Sequence, residues 1–242
     1  KSPANVTNDL ILRRLFEMIV ENLDEFVYYP IPKNMEYMRC QLTRDNQGLD
    51  KYFLPTYYLH AERNDGKKYL ILTARCKLRK YGTASYVLAT DITNTLKDEE
   101  PFIGKFRGNN MQDSEFVVYD NGVNPKHIKN NQEQLRRRRR QMAATIYETK
   151  LLGLKGSRKM TVLIPNMTEN DQRIEVQPQN EKEGLIERWK HSEMNNILEL
   201  HSIITESNSN NLKFNDRQEL KESTKNFQIV WTKDSTQGKT SS

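Results

Sequence analysis

Between Glu36 and Pro178 the apolar residues recur at every second position in short runs, most of them closed by a turn signal, and a helix cannot use that period. In "EYMRCQLTRD" Met38, Cys40 and Leu42 alternate with Tyr37, Arg39, Gln41 and Thr43, the pattern of a strand buried on one face. "TYYLHAERNDGKKYLILTA" sets two such runs around Asn64-Asp65-Gly66, and Asp-Gly at that point predicts a hairpin because both positions tolerate positive φ. Further strands are predicted at "ASYVLAT", "FIGKFRG", "EFVVYD" before the Asp120-Asn121-Gly122 turn, "KMTVLIP", "QRIEVQP" and "TKNFQIVW". The fold class that follows is mainly β and antiparallel. The clearest helical spacing lies in residues 8 to 23, where Leu12, Leu15, Phe16, Ile19 and Leu23 follow Asn8 as a cap; a short helix from Leu185 to Trp189 and a strand from Ile197 to Leu200 are also predicted.

A chain of 242 residues fits one large β domain, and its 36% hydrophobic content implies a modest core. Lys and Arg outnumber Asp and Glu by 38 to 32, so an anionic partner fits: a membrane surface, a phosphoinositide or a nucleic acid. The two cysteines, Cys40 and Cys76, form no CxxC pair, and the four histidines do not fall at ligand spacing, so neither a disulfide framework nor a metal is expected. No apolar run approaches the roughly 20 residues that span a bilayer. Motifs of the serine hydrolases, P-loop proteins, zinc proteases and kinases are missing, and no enzyme activity or cofactor is expected.

Basic residues cluster in three places. "RCKLRK" brings Arg75, Lys77, Arg79 and Lys80 just before one predicted strand, and "GKFRG" follows it with Lys105 and Arg107. On an extended strand these last two share a face, roughly 6.6 Å apart along the chain, a span that two phosphates of one ligand match, while Phe102 and Phe106 take the other face. Sequential strands usually neighbour one another, so the two segments are placed to converge. The alternative is a solvated strand surface. Arg136 to Arg140 form the third cluster, readable as a solvated loop or as a nuclear-import or nucleic-acid patch.

In order along the chain, "NLDEFVYYPIP", "CQLTRDNQGLDKYFLPTYYLHAERNDGKKYLILTAR", "IGKFRGNNMQDSEFVVYDNGVNP", "MAATIYETKLLGLKGSRKMTVLIP" and "STKNFQI" resemble the carboxy-terminal domain of the Tubby-like protein family. The resemblance implies an antiparallel β-barrel around a central hydrophobic helix. It implies binding of phosphatidylinositol 4,5-bisphosphate at the plasma membrane, delivery of membrane receptors to cilia with ciliary transport proteins, and a proposed second role as a nuclear transcription regulator. The protein would be a monomeric, cytoplasmic, peripheral adaptor. Position by position, the family's headgroup cations fall on Lys105, Arg107 and Arg139, and its neighbouring asparagine falls on Ser85, which keeps a short hydrogen-bonding group and loses the amide; Lys77 and Arg79 stand around them. The resemblance divides the chain into a helical extension (1–21), a Tubby-type domain (22–231) and a disordered tail (232–242).

Three departures accompany it. One residue is inserted between Arg107 and Phe116, and Asp216 stands where the family has glycine. Family members also continue past "KNFQI" through more strands and the apolar helix that fills the barrel, whereas this sequence runs into a polar tail. The expectation is an incomplete barrel without its central helix, either open or with the amphipathic helix of residues 8 to 23 partly in the empty slot.

Overall fold

The computed structural model describes residues 3–32, 35, 37–45, 55–77, 85–91, 102–110, 114–128, 132–148, 159–203 and 228–231. Among these residues ten strands form one sheet: β1 Cys40–Arg44, β2 Thr56–Glu62, β3 Lys68–Lys77, β4 Ser85–Ala89, β5 Gly104–Gly108, β6 Glu115–Asp120, β7 Gln141–Tyr147, β8 Met160–Pro165, β9 Ile197–Ile203 and β10 Gln228–Trp231. Their order in space is their order in the chain, and every pairing is antiparallel. Among the described residues four α-helices accompany the sheet: α1 Pro3–Glu21, α2 Leu23–Phe26, α3 Gln132–Arg136 and α4 Leu185–Lys190. The mainly-β antiparallel reading therefore holds.

The Asp65-Gly66 hairpin forms between β2 and β3, with Gly66 at φ 82°, where its missing Cβ removes the steric cost of the left-handed region. The helix predicted over residues 8 to 23 starts earlier, at Pro3, and ends at Glu21, so Asn8 lies inside it instead of capping it. A proline heading a helix forfeits no hydrogen bond, because the first N–H groups have no intrahelical acceptor. Asn22 breaks the helix by capping α2 instead, its Oδ1 accepting from Glu25 N at 3.2 Å and its amide donating to the Glu25 carboxylate at 2.9 Å.

Two stretches differ from the predicted strand pattern. β7 was not anticipated, because its "QMAATIY" follows directly on five arginines and carries little alternation. Conversely, Gln172–Pro178 is not a strand. Asp171 turns the chain at φ 57°, Arg173 makes one isolated bridge with Met167, and the rest runs as a strap across the start of β7, where Val176 O accepts from Gln141 N at 2.8 Å.

Burial divides into two clusters. One joins Leu15, Phe16 and Ile19 of α1 to Phe26, Met35, Ala61 and Ile71, with the Phe16 ring tilted on Tyr69 at 5.3 Å. The other packs Leu185 and Ile186 of α4 on Val117, Ala144, Leu163 and Ile197. Between them a band of rings, Tyr57, Tyr86, Phe106, Phe116 and Tyr147, crosses the sheet, with Phe106 and Phe116 stacked at 4.9 Å. An apolar cavity of about 380 Å³ opens against strands β1 to β7, with Leu88, Val118 and Met142 in its wall. Its helical-side lining comes from Phe26 to Ile31, and none of it from α1, so among the described residues the helix packs beside β2 and β3 instead of filling that space. The predicted tail (232–242) lies outside the described residues.

Candidate anion-binding cleft

β5 is too short to turn a side chain aside: Gly104, Lys105, Phe106, Arg107 and Gly108 alternate strictly, and register sets Lys105 opposite Val87 and Tyr119, and Arg107 opposite Ser85 and Val117. Phe106 goes to the ring band on the other face. The neighbouring strand β6 lies close against β5 here: a Cβ at Gly104 would come within 2.5 Å of Tyr119 O. Phe102 departs from the expected alternation. It precedes the strand, and the Lys105 ammonium sits over its ring at 4.0 Å, a cation–π contact.

Arg139 reaches the same place by another route. After β6 the chain turns at Asn121-Gly122 and runs beside the arginine segment: Arg137 O accepts from Val123 N at 2.7 Å, and Val123 O accepts from Arg139 N at 2.9 Å. A Cβ on Gly122 would lie 2.4 Å from Arg139 Cα and 2.6 Å from its nitrogen, so this contact exists because residue 122 has no side chain. Arg139 then lays its guanidinium over the Tyr119 ring at 4.0 Å.

The neighbouring arginine is directed elsewhere. Asp120, 6% exposed, accepts from Arg140 N at 2.8 Å, Arg140 Nε at 2.7 Å and Gly122 N at 3.0 Å, while Arg140 Nη1 reaches Glu175 at 2.7 Å. Those carboxylates hold the Arg140 guanidinium charged, above its ordinary pKa in spite of burial. Gln177 Nε2 donates to Arg138 O at 3.0 Å. The strap thus fixes the arginine run from below, while Arg136 and Arg137 are exposed. The five arginines have distinct environments, which a bare count of charge could not reveal.

Lys105, Arg107 and Arg139 converge on one cleft. A lobe of about 330 Å³ is lined by these three with Phe102, Tyr119 and His127, and a second of about 430 Å³ continues past Arg107 and Arg139 toward Lys126 and Glu181, an exposed ion pair at 3.0 Å. Lys105 is half-buried, and burial together with the charges of Arg107, Lys77 and Arg139 pulls its pKa below the ordinary lysine value. A site that disfavours its own cations is one that an anion relieves. Ser85 is buried at the register position between Lys77 and Arg107, yet neither Ser85 nor Lys77 lines the cleft; Lys77 acts on Lys105 through its charge alone. Arg79 lies outside the described residues.

Sequence reasoning assigned Phe102 to the opposite face and missed Tyr119, Lys126 and His127. Tyr119 was legible in the alternation of "EFVVYD". The other two required the turn in which Asn124 caps Pro125–His127, its Oδ1 accepting from Lys126 N at 3.2 Å.

A sequence model of the Tub family matches residues 27–241. Tubby-related protein 3 of Mus musculus is 41% identical over 215 residues, 87% of this chain and 46% of the relative. Protein king tubby of Drosophila melanogaster is 39% identical over 221 residues, 89% of this chain and 45% of the relative. Tubby-related protein 3 of Homo sapiens is 38% identical over 219 residues, 89% of this chain and 48% of the relative. The chain thus spans about half the length of the relatives it matches. With its antiparallel ten-stranded sheet and a family match over most of its length, the chain belongs to the Tub family.

Proposed function

We propose that this protein is a peripheral membrane adaptor that binds phosphatidylinositol 4,5-bisphosphate through the cleft of Lys105, Arg107 and Arg139, and supports the trafficking of membrane receptors to cilia. The observation that carries the binding reading is the convergence of three cations, from β5 and the arginine run, on a cleft floored by the Phe102 and Tyr119 rings. Paired guanidinium groups form bidentate, charge-assisted hydrogen bonds to phosphate oxygens, and two adjacent phosphates use all three cations. No described helix is long and apolar enough to cross a membrane, in keeping with a surface-bound role. Family membership supports the trafficking part.

A second reading, a nucleic-acid-binding transcription regulator, is favoured by the exposed Arg136 and Arg137. Salt dependence does not separate the two, because both are electrostatic. Competition does: soluble inositol 1,4,5-trisphosphate should displace the protein from bisphosphate-containing vesicles, whereas duplex DNA should compete poorly. Displacement by DNA and not by the trisphosphate would overturn the lipid reading.

A further inference from the structure

We propose that α3 and the two arginines at its end form a second membrane contact, in which Leu135 enters the interface of an anionic bilayer while Arg136 and Arg137 engage the phosphates around it. The proposal builds on the membrane reading of the cleft but uses residues outside it. Leu135 is 44% exposed, a large apolar side chain in a short helix whose other described residues are polar. Arg136 and Arg137 follow it and are likewise exposed. No carboxylate lies within ion-pair distance of either arginine in the described structure, unlike Arg140 with Asp120 and Glu175.

Position makes these residues a membrane contact. Arg139 lines the cleft, and Arg137 and Arg139 are both hydrogen-bonded to Val123, so α3 ends directly before a segment fixed beside the cleft wall. Four residues of fully extended chain span at most about 14 Å, which limits the distance from Leu135 Cα to Arg139 Cα. The headgroup layers of a bilayer together add roughly 10 to 15 Å to its hydrocarbon core. Each leaflet's share of that is roughly 5 to 8 Å, so Leu135 lies within about two headgroup depths of a headgroup held by Arg139. The combination of an apolar tip and a basic collar suits an anionic interface, where buried apolar area and charge attraction act together. A nucleic acid uses the arginines and gives no role to the leucine.

The test measures partition of the full chain onto two kinds of vesicle, phosphatidylserine alone and phosphatidylserine with bisphosphate lipid, alongside binding of soluble inositol 1,4,5-trisphosphate. Leu135→Gln should weaken partition onto both vesicles by about three- to tenfold, and Arg136→Gln with Arg137→Gln by about fivefold for each charge removed. Trisphosphate binding should stay as in the parent chain. Leu10→Gln, which removes a still more exposed leucine (63%) from α1, is the control and should change little. If Leu135→Gln partitions like the parent or like the Leu10 variant, the proposal is overturned while the cleft reading stands. A parent chain that ignores the trisphosphate yet depends on Leu135 for phosphatidylserine vesicles would overturn the cleft and support α3. Loss of duplex DNA binding in the double arginine variant, with vesicle partition intact, would assign the segment to nucleic acid.

Discussion

Adjacent arginines in this chain do opposite work, and substitution should separate them. Arg140→Ala leaves the buried Asp120 carboxylate without its ion pair and is expected to cost about 2 to 3 kcal/mol, less than a fully buried pair because the arginine is itself one-third exposed. Arg139→Ala should leave the melting temperature nearly unchanged and lower vesicle binding. Equal loss of stability in both would contradict the assignment of the register. Lys105→Ala with Arg107→Ala removes two contacts worth roughly 1.5 to 3 kcal/mol each, against about 1 kcal/mol for each basic residue near an anionic membrane. The exposed hairpin pair Lys67→Ala with Lys68→Ala subtracts the same charge and should cost much less; equal losses would reduce the cleft to diffuse attraction. Lys105 also carries a pH signature. Its folded pKa lies below the unfolded value, so between the two the unfolded chain binds the extra proton, and stability rises with pH through that alkaline window. Lys105→Met should accordingly be slightly more stable at neutral pH by thermal melt, and the difference should shrink above the folded pKa or when a polyphosphate fills the cleft.

The arrangement of β5 was legible from five letters, since "GKFRG" fixes which side chains share a face and β5 pairs on both sides without a bulge. The strap was not. "QRIEVQP" alternates as a strand does, but Asp171 in the left-handed region and Pro178 at the other end leave it a single bridge, and its hydrogen bonds go to residues 165–168, the arginine run and β7. Periodicity reports which side chains are buried, not what the backbone pairs with. Lys105 and Arg107 were legible for the same reason that β5 was, and Arg139 only through family resemblance, because choosing it over Arg140 depends on Asp120 and Glu175, which lie 20 and 35 residues from Arg140. At this scale Phe106→Ala should cost about 2 to 4 kcal/mol by urea denaturation, since it removes the centre of the ring band. A loss under 1 kcal/mol would mean that the band is decoration on a sheet held by its ends.

In the whole molecule the two buried clusters share no residue among those described, and the sheet between them is their main connection. Phe16→Ala should weaken the cluster around α1 by about 3 kcal/mol. Trp189 belongs to the other cluster, so its fluorescence should report a later transition than the far-ultraviolet signal in that variant. Coincident transitions would show that the sheet couples both ends into one cooperative unit.

Because each strand lies beside the one made just before it, the sheet needs no strand to wait for a distant partner. On a ribosome the hairpins can form in order of emergence, and the cleft gains its last cation when Arg139 clears the exit tunnel, about 90 residues ahead of β10. At ordinary elongation speeds that interval is roughly 5 to 20 s. The nascent chain would thus carry all three cations of the proposed cleft before the strap that anchors the arginine run had emerged, and the cleft would settle into shape only as Glu175 and Gln177 followed.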